Sequence, residues 1–162
     1  MRRLEPGTFF GVPIIDRFGT LNGCFALGVV VRHRKPMIFA YFFPPALASL
    51  PDVSDVAPLA PENAIYGTVT GDRALREGRW KLIGIPGWSN PNSWPFPPFC
   101  RRLSNGEFDC MRYSEDDLLT EIERFTCTVP QGPMCIDTGV ADLGFTETRV
   151  RNRLREYSSN CR

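Results

Sequence analysis

The sequence predicts a mainly β protein: a small antiparallel β barrel or strongly bent sheet of six to eight strands, with two helices in the C-terminal third packed on it. Three observations carry that expectation. Residues 23–43 alternate Phe25, Leu27, Val29, Val31 and then Met37, Phe39, Tyr41, Phe43 around Arg32-His33-Arg34-Lys35-Pro36, which is strand periodicity broken by a solvated turn. The alternate positions are also apolar, with Val30, Ile38, Ala40 and Phe42 among them, so both faces of this hairpin need a cover. The longer stretches with apolar residues at helical spacing, about 115–124 and 144–157, both lie in the last third.

A chain of 162 residues, 43% hydrophobic and 23% charged, is long enough for one well-filled core and short for two. We expect one domain over 1–162, with a β-rich core in 1–113 and a helical part in 114–162 packed on the sheet. Nineteen basic and eighteen acidic residues leave a net charge of +1, so nothing global draws the chain to nucleic acid or to a membrane surface. The start, Met-Arg-Arg-Leu-Glu-Pro-Gly, has no apolar stretch of signal-peptide length, and no run approaches the ~18 apolar residues of a membrane helix. A cytoplasmic location is expected.

In chain order, Pro6-Gly7 is a turn before a first strand in which Phe10, Val12 and Ile14 share a face and Pro13 marks an edge or bulge. Residues 16–23 read as a loop leading into the central hairpin, which gives three strands in meander order. Five prolines fall between Pro44 and Pro61, predicting an irregular surface crossing anchored by Leu47, Leu50, Val53, Val56 and Leu59. Residues 64–70 form a strand, Asp72 is a candidate cap for a short helical turn that Gly78 ends, and 79–85 resume as a strand with Trp80 and Leu82 on one face. Pro86–Pro98 is a rigid loop carrying Trp88, Trp94 and Phe96, aromatics that suit either a recognition surface or a plug over an open end of the barrel. Asn105-Gly106 between two strand-like runs is the strongest short hairpin signal available. Ser114-Glu-Asp-Asp117 resembles a capping box ahead of Leu118, Leu119, Ile122 and Phe125, and 130–143 reads as loop. Thr146 is the predicted N-cap of the last helix, with Phe145 and Val150 as a hydrophobic staple and Val150, Leu154 and Tyr157 as a narrow stripe facing the sheet.

No chemistry-bearing motif appears: no Gly-rich phosphate loop, no nucleophile elbow, no metalloprotease or EF-hand spacing. No catalytic residue, cofactor or metal is expected. His33 reads as part of an exposed turn, and nothing beside it completes a nucleophile and base. Six cysteines occur without a C-x-x-C pair and read as separate thiols, so a zinc site would have to be assembled from scattered residues. The acids Glu115, Asp116 and Asp117 suit the positive end of a helix dipole. Residues 107–125 hold seven acids and two bases, a charge complement for the arginines of the last helix.

The segments Pro6-Gly-Thr-Phe-Phe-Gly-Val-Pro-Ile14, Gly23-Cys-Phe-Ala-Leu-Gly-Val-Val-Val31, Ile38-Phe-Ala-Tyr-Phe42, Leu75-Arg-Glu-Gly-Arg-Trp-Lys-Leu-Ile-Gly84 and Pro95-Phe-Pro-Pro-Phe99, in that order, resemble the immunity protein 26 family of bacterial polymorphic toxin systems. The family pattern is a G-D-x-F-x-x-P-L start, a G-x-x-x-x-G-x-V second strand and a G-x-W-x-x-x-G strand followed by prolines and aromatics. Thr8 stands where an acid is common and Ile14 where Leu is common, and the resemblance covers residues 5–103. It implies a mostly β protein that binds a cognate toxin domain inside the producing cell and needs a surface rather than chemistry. On that reading the partner surface uses the turn of Asp72, Arg73, Arg76 and Glu77 and the loop of Trp88, Trp94 and Phe96, exposed charge beside rigid aromatics. Two rivals make different demands. A small β-barrel nucleic-acid or regulatory module would use Arg149, Arg153 and Arg155, and a hydrolase would need a pocket converging on Asp137, Asp142 or a cysteine near His33.

Overall fold

A computed structural model describes residues 4–15, 21–129, 140–141 and 143–154. The strands are β1 Phe9–Ile15, β2 Leu21–Arg34, β3 Met37–Leu47, β4 Tyr66–Gly71, β5 Lys81–Gly84, β6 Phe99–Arg102, β7 Phe108–Tyr113, β8 Glu121–Cys127 and β9 Val140–Ala141, with helices α1 Arg73–Arg76 and α2 Leu143–Leu154. Six strands form one sheet in the order β5-β1-β2-β3-β4-β9, and β6-β7-β8 form a second. All pairings are antiparallel except the two-residue β4–β9 pair. The architecture is mainly β, as expected, but the larger sheet is open. Its outer strands β5 and β9 do not pair with each other, so among the described residues the sheet does not close into a barrel.

The central hairpin organises the core on both sides. Phe10, Val12, Ala26, Val30, Ile38, Ala40 and Phe42 point to one face, where Ala74, Leu75, Trp80, Val150 and Leu154 cover them. Phe9, Leu27, Val29, Val31, Phe39, Tyr41 and Phe43 point to the other, under Val56, Trp94, Phe99 and Leu118. Two covers on a two-sided apolar sheet are what the alternation requires. Aromatic geometry tightens each side. Phe10 stacks on Trp80 with centroids 5.4 Å apart, and Phe39 meets Phe99 edge-on at 5.7 Å, contacts worth about 0.5–1.5 kcal/mol each beyond the area they bury.

Several local expectations hold with a change of detail. Pro13 sits at a register shift between Pro13 and Ile15, past the last residue of β1 that pairs with β5, Gly11, so its missing N–H costs no ladder bond. The Lys35–Pro36 turn contains a cis peptide bond, as does Pro44–Pro45 within the longer-than-expected β3. Gly106 takes φ 86° in the Asn105-Gly106 turn, closed by the Leu103 amide donating to the Glu107 carbonyl at 2.7 Å. The proline-rich crossing is anchored by Val56, with Leu47 and Leu59 packed against the same core, while Val53 is exposed.

Other expectations fail, each for a local reason. The predicted helix 115–124 is a tight turn followed by β8. Ser114 accepts at its carbonyl from the Leu118 amide at 2.8 Å, one helical turn, and then Leu118 adopts φ 65°, which stops a helix. Asp117 holds the reversal by accepting from the Leu119 and Thr120 amides, both at 2.9 Å, and from the Thr120 hydroxyl. The last helix begins at Leu143, so Thr146 lies inside its first turn rather than at its cap. Val150 and Leu154 do face the sheet; Tyr157 lies outside the described residues. The loop expected over 130–143 contains β9 where it is described, and 130–139 and 142 lie outside the described residues. Leu82 is 46% exposed while Trp80 is fully buried, because Trp80 precedes β5 and turns under the sheet. Among the described residues no helix is long and apolar enough to cross a membrane.

Candidate functional site

The two segments expected to form a partner surface are fastened to consecutive residues of β2. At Arg32, Nη1 donates to the Trp94 carbonyl at 3.0 Å, tying down the aromatic loop, while the guanidinium pairs with Glu115 at 3.2 Å. At His33, one residue on and so pointing to the opposite face, Nε2 lies 3.0 Å from Asp72 Oδ2. Asp72 Oδ1 accepts from Arg76 Nε at 2.7 Å. The Asp72 amide donates to the Pro36 carbonyl, and its own carbonyl receives the Leu75 and Arg76 amides. The expected side-chain cap at Asp72 is absent: the carboxylate is drawn away to a histidine and an arginine, and the helical turn forms on the backbone carbonyl alone. Gly78, at φ 73°, ends the turn as read from the sequence.

Asp72 is 0% exposed. A buried carboxylate requires partners, and His33 and Arg76 supply them. Arg73 and Glu77, by contrast, form an exposed i,i+4 pair at 2.7 Å. The hydrogen bond from Arg73 lowers the Glu77 carboxyl below its ordinary range and raises the Arg73 guanidinium; in full solvent such a pair adds little stability. The turn therefore presents Arg73, Arg76 and Glu77 outward, with Asp72 as the buried peg.

The aromatic loop is a cover more than a projection. Trp94 is 1% exposed and lies about 6 Å from the rings of Phe9, Tyr41 and Phe43. Trp88 is half-buried and donates from Nε1 to the Val56 carbonyl at 2.8 Å, joining the loop to the proline-rich crossing. Phe96, also half-buried, sits 5.0 Å from Phe39, and the Tyr41 hydroxyl donates to the Pro95 carbonyl at 2.8 Å. Trp94 thus shapes the surface from beneath, and the outward residues of this segment are Gly87, Asn90, Pro91, Asn92, Ser93 and Pro95. The structure does not merge the two predicted clusters into one patch. It places them on opposite faces of the large sheet, joined at the tip of the β2–β3 hairpin, where Arg34 and Lys35 are exposed.

Beside that tip runs a shallow depression lined by Leu4, Glu5, Pro6, Arg32, His33, Arg34, Pro91 and Asn92. Its lining sets the guanidinium groups of Arg32 and Arg34 beside the Glu5 carboxylate, the Asn92 amide and apolar Leu4, Pro6 and Pro91, and the arginines suit an acidic side chain or a carbonyl edge. His33 and Asp72 form an oriented pair of the kind that can move a proton; among the described residues, no serine, threonine or cysteine lines the depression. Asp137, Asp142 and Arg155 lie outside the described residues. Arg149 is half-buried. Sequence reading missed Arg32 as the joint between sheet and loop, because it opens the basic run Arg32-His33-Arg34-Lys35 that reads as a solvated turn, whereas β2 continues through Arg34. It also missed that His33 finds its third group in Asp72, thirty-nine residues away, which no local pattern encodes.

A family model described as Immunity protein 26 matches residues 5–110. No curated protein and no solved structure matches the chain. The matched span runs from the turn before β1 to Cys110 in β7, so it takes in the central hairpin, both elements fastened to it and every residue lining the depression except Leu4.

Proposed function

Because the chain belongs to the immunity protein 26 family, we propose that it binds a cognate polymorphic toxin domain in the cytoplasm of the producing cell and neutralises it by occlusion, without chemistry of its own. The family match over residues 5–110 carries this reading. The geometry supports it. The hairpin is packed on both faces, so its tip and the segments bound to it are held rigidly, and a rigid surface loses little entropy on association. The contact surface we assign is that tip: Arg34 and Lys35, the outward residues Arg73, Arg76 and Glu77 of the α1 turn, and the rim of the aromatic loop, with Asp72 and Trp94 fixing its shape from below and Trp88 and Phe96 partly exposed within it.

Co-expression with the cognate toxin domain, sought first in the neighbouring reading frames, tests the assignment. The unaltered protein should restore growth, and paired reversals of exposed charge, Arg34→Glu with Lys35→Glu or Arg73→Glu with Glu77→Arg, should weaken protection while stability stays within about 0.5 kcal/mol. Full protection by a variant carrying all four reversals would move the contact surface elsewhere. Failure of the unaltered protein to protect would end the functional reading itself.

A further inference from the structure

The small sheet gathers three sulfur atoms that the sequence scatters over 28 positions. Cys100 of β6 and Cys110 of β7 are direct register partners, joined as a disulfide with Cα atoms 4.1 Å apart. This corrects the expectation of separate thiols, as does Cys24, which is also disulfide-bonded. Cys127 closes β8 opposite Phe108. Phe108 is two residues from Cys110, so Cys127 is the diagonal neighbour of Cys110 on the same face of the sheet. Its free thiol has Sγ 3.2 Å from that of Cys110, and all three sulfurs lie within 4.8 Å of one another. Phe99 and Tyr113 occupy the opposite face and pack into the aromatic core, which fixes the side of the sheet from which the sulfurs project.

We propose that the reduced protein binds one zinc ion, or a soft ion of similar preference, through Cys100, Cys110 and Cys127. Zinc–thiolate bonds of about 2.3 Å at tetrahedral angles place ligand sulfurs roughly 3.8 Å apart. Three side chains already within 4.8 Å reach that spacing by rotation about their own bonds, on backbone held in ladder register. Cys100 and Cys110 are 3% and 0% exposed, so two ligands are shielded from solvent, while the half-buried Cys127 leaves a way in; among the described residues no fourth histidine, cysteine or carboxylate joins the cluster, which suits water or a donor from a partner as fourth ligand. The chemistry closes with a small thiol as reductant: two equivalents reduce the Cys100–Cys110 disulfide, becoming a disulfide themselves. Each of the three protein thiols then gives its proton to solvent as it ligates. The oxidised protein, with two of its three ligands tied to each other, binds no metal here. This inference does not depend on the contact surface assigned above.

Titration of the reduced full chain with zinc in competition with a chromophoric chelator tests it. One equivalent should bind, and changing Cys100, Cys110 or Cys127 singly to Ser should weaken affinity by more than the roughly 10–100-fold that loss of an outer-shell partner costs. Variants changing Cys24, Cys135 or Cys161 to Ser should leave it unchanged. Equal affinity in a variant lacking all three cluster cysteines would overturn the proposal. Zinc protection from alkylation provides a readout that needs no variant: with zinc bound, iodoacetamide labelling of Cys127 in the reduced native protein should slow at least tenfold, and labelling at the same rate with and without zinc would overturn the proposal equally.

Discussion

Two residues show how single side chains set the local geometry. Asp72 is the only described anchor between His33 and Arg76 and lies fully buried. Replacing it by Ala strands the histidine, so Asp72→Ala should cost about 2–3 kcal/mol in urea unfolding, below the ~3–5 of a fully buried pair because Arg76 can turn toward water. Asp117 works as an acceptor. The Thr120 hydroxyl, then the Thr120 and Leu119 amides, hold its carboxyl below the ordinary value of 3.8. A depressed folded-state pKa means its contribution is complete above 3.8 and is lost as pH falls through the lower folded value. Asp117→Ala should therefore be less stable than the unaltered protein at neutral pH, and the gap in urea midpoint should close on acidification below that value; a gap independent of pH would refute the role. Neither residue was legible as such. Asp72 looked like a helix cap and Asp117 like part of a capping box, because short-range patterns show what a carboxylate can reach along the chain and not what the fold brings across to it.

At the scale of elements, the central hairpin was legible because its alternation is long and its turn is charged, and the Asn105-Gly106 hairpin because φ above zero restricts the choice of residue. Residues 115–124 misled. Their apolar spacing, Leu118, Leu119, Ile122 and Phe125, fits a helix, but Leu118 alone is deeply buried, while Ile122 is 64% exposed and the stretch from Glu121 pairs with β7. Cross-strand pairs Arg112–Glu123 and Arg112 over Phe125 at 5.7 Å favour the strand, and a single sequence window does not contain the partner strand. The acids expected to neutralise the last helix instead include Glu115, Glu121 and Glu123, paired with Arg32, Arg124 and Arg112. Gly28 shows how tightly the elements fit: a Cβ there would lie 2.5 Å from the ring of Phe10, itself fully buried against Trp80. Gly28→Ala should cost about 1–3 kcal/mol, read as a lower urea midpoint at unchanged slope. An unchanged midpoint would mean that the β1–β2 packing gives way more easily than the geometry indicates.

For the whole molecule, the expectation that survived best is the least local: a ribbon apolar on both faces must be enclosed. The structure encloses it with different material on each side, α1, Trp80 and α2 on one face, the proline-rich crossing, the aromatic loop and the small sheet on the other. Trp94 was therefore needed inside, and a loop that looked like a recognition surface became mostly a wall. The same division explains why the candidate surface was only partly readable. Its members, on α1 and on the aromatic loop, are joined through Arg32 and His33 across the sheet, and that junction is a property of the fold. The central claim is that the chain neutralises a toxin domain by occupying it. It is tested most directly by titrating the purified protein against the catalytic activity of its cognate toxin domain. Activity should fall linearly to zero at a fixed molar ratio and return when the complex is dissociated. Loss of activity at far below stoichiometric amounts, with a toxin domain that stays inactive after separation, would show turnover and contradict the account.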